Sequence, residues 1–192
     1  ATLFMVLLAC FKALLAIQTG FQDVVLGTPV AGRRRTELEG LIGCFLNTLV
    51  LRTNLHGNPV FTELLQRVRQ TTLDAYDNQE LPFEKLLEVL QPARSGAYTP
   101  IIQVMFNLQN APTSSLALDG LQVESFDVDR GTAKFDLSAV LAEHRDGLHI
   151  GFEYNTDLFE PATIERMLDQ LETLLTGIVT DAERPVSQLP LL

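Results

Sequence analysis

Three histidines, His56, His144 and His149, are the first places to look for acid–base or metal chemistry in this chain. None stands at metal-ligand spacing from another, and no Gly-x-Ser-x-Gly elbow supplies a serine nucleophile. His56 and His144 fall in turn-like stretches, and His149 alternates with Leu148 and Ile150, so it points away from their apolar face. All three therefore read as surface histidines. Asp127, Asp129 and Asp136 lie close in sequence but lack the glycine and terminal glutamate of a calcium loop, and read as solvated acids. Gly27-Thr-Pro-Val-Ala-Gly32-Arg-Arg has the outline of a phosphate loop. It lacks the lysine and the magnesium-binding hydroxyl, and Pro29 removes a backbone N–H from any cradle. Residue types alone point to no catalytic and no metal-binding residue.

Asn47 carries more information. A strand is expected over Phe45–Leu51, where Asn47 shares a face with Phe45, Leu49 and Leu51. An amide among apolar side chains needs partners, because an unsatisfied buried one costs roughly 1–3 kcal/mol. Two readings stay open: a structural hydrogen bond to a neighbouring loop such as Gly32–Gly43, or a wall position in a channel.

The elements that must hold these residues follow from periodicity. Residues 2–19 read as a largely buried helix ended by Gly20, interrupted only by Lys12, and too short for the ~20 apolar residues of a membrane span. Val24–Val30 is β-like, Gly32–Gly43 a loop with one helical turn, and the Phe45 strand has apolar residues on both faces, as in a sheet covered on both sides. Asn58-Pro59 reads as a helix cap and start, followed by Phe61, Leu64, Leu65 and Val68 on one face. A second helix starts at Pro82, carries Phe83, Leu86, Leu87 and Leu90, and closes at Pro92. From Ile101 the period becomes two, with Ile102, Val104, Phe106 and Leu108 together and Ile101 and Met105 opposite. A bulge is expected near Glu124–Ser125, then a hairpin made of Phe135–Leu141 and Leu148–Tyr154 with Asp146-Gly147 at its turn. Pro161 opens a long amphipathic helix with Ile164, Met167, Leu168, Leu171, Leu175 and Ile178 inward, and residues 182–192 read as linker. The expected class is α/β, a mixed β-sheet flanked by helices.

At 192 residues the chain has room for a core, and 46% hydrophobic with 20% charged residues excludes a disordered protein. A net charge of −10 excludes a phosphate-neutralising nucleic-acid surface, and the run Arg33, Arg34, Arg35 reads as a solvated loop. Cys10 and Cys44, each among apolar neighbours, read as free buried thiols of a reducing cytoplasm.

At the Asn47 strand the sequence becomes recognisable. Ile42-Gly-Cys-Phe-Leu-Asn-Thr-Leu-Val-Leu-Arg52 resembles the motif Ile/Val-Gly-x-Phe-Val-Asn-Thr-x-x-x-Arg of nonribosomal peptide synthetase condensation domains. Asn78-Gln-Glu-Leu-Pro-Phe-Glu84 resembles the next motif of that family, with Glu80 in place of aspartate. Gly27-Thr-Pro-Val-Ala-Gly-Arg33, Gln103-Val-Met-Phe106, Lys134-Phe-Asp-Leu137 and Tyr154-Asn-Thr-Asp-Leu-Phe159 match in family order. Two departures stand out. The family's Arg-Asp-x-Ser-Arg-Asn-Pro stretch keeps only its ends, Arg94 and Pro100, and the His-His-x-x-x-Asp-Gly run, carried by the family's N-terminal lobe, is absent from these 192 residues.

The resemblance implies one lobe, the C-terminal one over residues 1–181, of a two-lobed chloramphenicol acetyltransferase-like fold. Residues 182–192 would begin the linker to a following adenylation domain. It implies acyl transfer, in which the amine of an acceptor aminoacyl thioester attacks a donor peptidyl or acyl thioester. Phosphopantetheine arms of peptidyl carrier proteins would hold both, with no cofactor bound by this chain. Gly43, Asn47, Thr48 and Arg52 become candidates for the floor loop and substrate channel. Asn78, Gln79, Pro82, Phe83, Glu84, Arg94 and Gln103 become structural candidates of the family motifs, and a latch segment is expected within Leu116–Lys134. Without the histidine motif the chain alone is expected to be inactive, and without the N-terminal lobe it is expected to self-associate. A platform lobe for the adenylation domain, and a lobe of an epimerisation or heterocyclisation domain, are the competing readings. No nucleic-acid or membrane partner is expected.

Overall fold

The computed structural model describes residues 1–33, 35–93, 99–109, 120–121 and 131–191. Helix α1 spans Leu3–Thr19. The Thr2 hydroxyl accepts from the Met5 N–H at its start, and Gly20, at φ 73°, ends it in the left-handed conformation that glycine tolerates. Strands β1 (Asp23–Val30) and β2 (Asn47–Asn54) form an antiparallel pair whose long connection holds one 3₁₀ turn, Thr36–Leu38. Helices α2 (Phe61–Asp77) and α3 (Phe83–Leu90) follow, then β3 (Val104–Gln109), β4 (Leu137–His144), β5 (Gly147–Tyr154) and helix α4 (Pro161–Thr180).

The strands make one sheet in the order β2-β1-β3-β4-β5. β3 runs parallel to both β1 and β4, and the outer pairs are antiparallel, so the sheet is mixed, as expected. Its core is built where α1, touching both α2 and α4, meets the alternating Leu26, Leu51, Phe106, Ala139 and Leu141 of four strands. Among the described residues no helix is long and apolar enough to cross a membrane.

Several expectations move. Strand β2 begins at Asn47, two residues after Phe45, and runs on to Asn54. Asn58 does not cap α2. The cap is Val60, and Asn58 sits at φ 49° with its side-chain Oδ1 accepting from the Ser187 N–H. The first N–H groups of α2, which a helix cannot pair internally, donate instead to Arg184 O (from Phe61, 3.2 Å) and Ala182 O (from Thr62, 3.2 Å). The segment read as linker is thus built into the fold. It bridges Val60 through Pro185, buries Val186 and Leu189, and turns once at Val186–Gln188.

In α4 the buried set includes Gln170 and Leu174, while Leu168 and Leu175 are only partly covered, because the buried stripe is wider on one side than the apolar spacing suggested. In α3 no residue is fully buried and Leu90 is exposed. β3 starts at Val104, leaving Ile101 at φ 68° outside the period-two run. Cys10 is buried as expected, but Cys44 is exposed, since the residues around it form a surface loop and not a strand. Lys12 does not interrupt the buried helix; it is itself buried. The bulge near Glu124–Ser125, most of the latch range Leu116–Lys134, Asp127, Asp129 and Arg94 lie outside the described residues.

Candidate functional site

The connection from β1 to β2 is shaped by two adjoining residues. Gly32 turns at φ 65° directly under Phe45, and a Cβ there would lie 2.0 Å from the Phe45 carbonyl oxygen, so no other residue fits. Arg33 then reaches across the loop. Its Nη2 donates to Leu41 O (2.8 Å) and Gly43 O (3.2 Å), its Nη1 to Leu38 O and to Glu39 O (3.3 Å). Its guanidinium carbon lies 4.3 Å from the centroid of the Phe45 ring, within cation–π range. The expected solvated basic run is therefore corrected at Arg33, whose planar donors are spent on loop carbonyls.

Asn47, the first residue of β2, is satisfied on every side. Its Nδ2 donates to Gln79 O (2.9 Å) and Leu81 O (2.8 Å), and its Oδ1 accepts from Thr48 N (2.8 Å) and Phe83 N (3.1 Å). The amide does find backbone partners, but in the turn between α2 and α3 and not in the Gly32–Gly43 loop. The reason is its place at the strand end, from which the side chain leaves the sheet toward that turn. The bond from Phe83 satisfies one of the unpaired N–H groups at the start of α3, where Pro82 is the cap and offers no side-chain acceptor.

Between the loop and this turn lies an open cleft of about 360 Å³, walled by Arg35, Leu38, Cys44 and Leu46 on one side and Gln79 and Glu84 on the other. Among the described residues no histidine or lysine lines it. The arrangement is a shaped wall lined by backbone carbonyls, amides and apolar side chains. Leu46, which lines it, is exposed, as are Ile42 and Leu81 in the adjoining segments, with Ile42 wholly so.

The other candidates separate into those that build this wall and those that do not. Asn78 caps α2, donating from Nδ2 to Asp74 O (2.9 Å), and Gln79 donates from Nε2 to Tyr76 O (2.8 Å). Pro82, Phe83 and Glu84 continue into α3 beside the cleft, while Gly43 lies in the loop and Thr48 pairs with Pro29 in the sheet. Gln103 is elsewhere, donating to Thr99 O (2.8 Å), with its own carbonyl accepting from Asp136 N (3.0 Å). Arg52 is not brought to the cleft. Five residues along β2, about 17 Å at strand rise, it lies exposed and doubly bonded to the Asp23 carboxylate, with Nη2 to Oδ2 2.6 Å. That hydrogen-bonded guanidinium holds the Asp23 carboxyl below its usual range.

Two residues carry chemistry that residue types did not flag. Arg33 is one; its signal was the Gly-Arg step closing a family-like stretch. Lys12 is the other: its Nζ donates to Leu51 O (2.6 Å) and Val24 O (3.2 Å), and burial pushes its pKa down to about 7, against a weaker opposing pull from Asp23. The histidines stay at the surface. His144 and His149 stack with ring centroids 4.3 Å apart at the hairpin tip, His149 beside Asp146. Among the described residues no cluster of three or more metal-ligating side chains occurs.

A mixed five-stranded sheet backed by helices, with a cleft at its β1–β2 end, is the α/β architecture of the chloramphenicol acetyltransferase-like folds. The fold of solved structures agrees. A holo four-domain nonribosomal peptide synthetase bound to AMP and glycine matches with a TM-score of 0.90 and 25% identity over 99% of this chain and 16% of that one. The X-domain from teicoplanin biosynthesis matches with a TM-score of 0.88 and 27% identity over 100% of this chain and 44% of that one. In sequence, malpinin synthetase of Mortierella alpina is 46% identical over 191 residues, which is 100% of this chain and 2% of the synthetase. The dimodular nonribosomal peptide synthase of Bacillus subtilis (strain 168) is 44% identical over 197 residues, which is 100% of this chain and 8% of the synthase. The condensation-domain family matches residues 1–192, and the chain belongs to that family. It spans less than a tenth of the length of either of these synthetases.

Proposed function

We propose that this chain is the C-terminal lobe of a peptide-forming condensation domain in a nonribosomal peptide synthetase. The observation that carries this reading is Asn47. It ties the two stretches most like the family motifs, Ile42–Arg52 and Asn78–Glu84, into one wall of a cleft. In the reaction the amine nitrogen of the acceptor aminoacyl thioester attacks the donor thioester carbonyl. The C–N bond forms, the C–S bond breaks, the donor carrier's phosphopantetheine thiol leaves, and the amine loses a proton. The wall's part is to orient tethered reactants; the proton is handled by the histidine motif of an N-terminal lobe. The partners are that lobe, the peptidyl carrier proteins and an adenylation domain, in a cytoplasm that suits two unpaired thiols.

The test uses the synthetase that contains this chain, with both carrier proteins loaded. Dipeptidyl product on the acceptor carrier, abolished by alanine at the histidine motif, supports the reading. An epimerised or cyclised product without a new peptide bond rejects it in favour of the related domain types. The 192 residues alone should give no product above the uncatalysed rate, and turnover by them would reject the lobe assignment. A platform role for an adjoining adenylation domain has one observation in its favour, the C-terminal segment packed against α2 and the core. It is compatible with the catalytic reading, because a lobe can both hold a neighbour and wall a cleft.

A further inference from the structure

We propose that Arg33 is a positioning residue for the condensation reaction, holding the β1–β2 loop in the shape that walls the cleft. This rests on the reading of that cleft as part of the condensation site.

The argument starts from what else could hold the loop. Among the described residues its internal backbone hydrogen bonds are confined to 35–41: Leu38 N to Arg35 O, Glu39 N to Thr36 O and Leu41 N to Leu38 O. Hydrophobic burial does not fix the remainder, since Leu41, Ile42 and Leu46 are all exposed, at 50%, 104% and 68%. Cys44 is exposed as well. What spans the gap is the Arg33 guanidinium, bonded to carbonyls at residues 38, 39, 41 and 43 and stacked on Phe45. The stem of that side chain is itself fixed by Gly32, which closes on the Phe45 carbonyl. One planar fork thus orders both arms of a loop whose other ties, among the described residues, are the three backbone bonds within 35–41. Leu38, Cys44, Phe45 and Leu46, all on those arms, line the cleft. A lysine would carry the same charge but not the same reach, because its ammonium is a point donor and cannot serve carbonyls on both arms at once.

The experiment compares Arg33→Lys and Arg33→Met in the full synthetase, with Phe45→Leu as a second way to weaken the hold. Hydrogen–deuterium exchange over residues 36–46 and the rate of Cys44 labelling by an aromatic disulfide report the loop. Exchange in α1 and α4 reports whether the fold is intact. The kcat and KM for the loaded acceptor carrier report the reaction. Loop amides and Cys44 are expected to react about tenfold faster in both arginine variants with α1 and α4 unchanged. Over the same variants kcat should fall about 10- to 100-fold with little change in KM. Unchanged loop exchange overturns the proposal. So does a loosened loop with undiminished kcat, and so does full activity in Arg33→Lys, which would mean that a positive charge suffices. If the unaltered synthetase makes no peptide bond, the functional reading fails by itself, and the loop measurements still decide whether Arg33 holds the loop.

Discussion

Lys12 shows how one side chain ties an element down at a pH-dependent cost. Its ammonium has left water for the interface between α1 and the β1–β2 pair, where two strand carbonyls receive it. With its pKa pushed down to about 7, the folded chain releases a proton that the unfolded chain keeps to near 10. Between those values the unfolded state binds more protons, so stability must rise with pH, by at most about 1.4 kcal/mol per unit. Cys10 acts in the opposite sense above about pH 9, because burial pushes its thiol up to about 12 and the folded state then holds the extra proton. Urea unfolding between pH 6.5 and 10 should therefore show stability climbing from 7 to 9 and flattening beyond. Lys12→Met should erase the climb, and a climb that survives in it would assign the effect elsewhere.

Asn47 poses the other residue-scale test. Asn47→Leu keeps the volume but strands Gln79 O, Leu81 O, Thr48 N and Phe83 N, and the melting curve of the chain should show a loss of roughly 1–3 kcal/mol. Turnover retained in the synthetase despite that loss would make the residue structural only. The sequence showed that this amide needed partners, because an amide stood among leucines. It could not show which, because three of the four partners are backbone groups more than thirty residues away, and Asn47 stands at the end of β2, where its side chain meets the turn between α2 and α3.

At the scale of elements, periodic segments were legible and the segments that pack without period were not. α1, α4 and the β4–β5 hairpin stand close to where their spacing places them, since each buries a face long enough to repeat. The segment after α4 fully buries only Val186 and Leu189, with Ala182 and Leu191 partly covered, and its apolar residues have no regular period, so the sequence alone reads linker. Its carbonyls nonetheless complete the start of α2, a rod about 25 Å long whose other end carries the turn gripped by Asn47. Ending the chain at Asp181 should therefore cost more than a tail would. Two buried aliphatic side chains are worth about 1.5–3 kcal/mol each, and the Phe61 and Thr62 N–H groups lose their acceptors. A lowered melting temperature with faster amide exchange in the first turn of α2 is the expected outcome. An unchanged melt would return these residues to linker status.

For the whole molecule, apolar side chains left at the surface near the cleft need an explanation. Leu46 lines the cleft, Ile42 and Leu81 are exposed in the two chain segments that wall it, and Val89 and Leu90 are exposed further along on α3. Scattered apolar residues at a surface are ordinary, but a cluster around a concavity is the mark of a covered face. The fold class and the family were legible because motif stretches span the chain from β1 to the start of α4. Which side chains stand exposed beside the cleft was not legible, because exposure depends on how the loop and the α2–α3 turn fold. If the face belongs against another lobe, the isolated 192 residues should associate with themselves in a concentration-dependent way, seen as a mass above 21.3 kDa by light scattering. Ile42→Lys with Leu46→Glu should shift that mass toward the monomer while leaving the melt nearly unchanged, because both side chains are exposed and contribute little to the core. Adding the N-terminal half of the same condensation domain should compete, replacing the self-associated species by a one-to-one complex. A clean monomer at high concentration, for the unaltered chain and without that half present, would mean that the rim is ordinary surface.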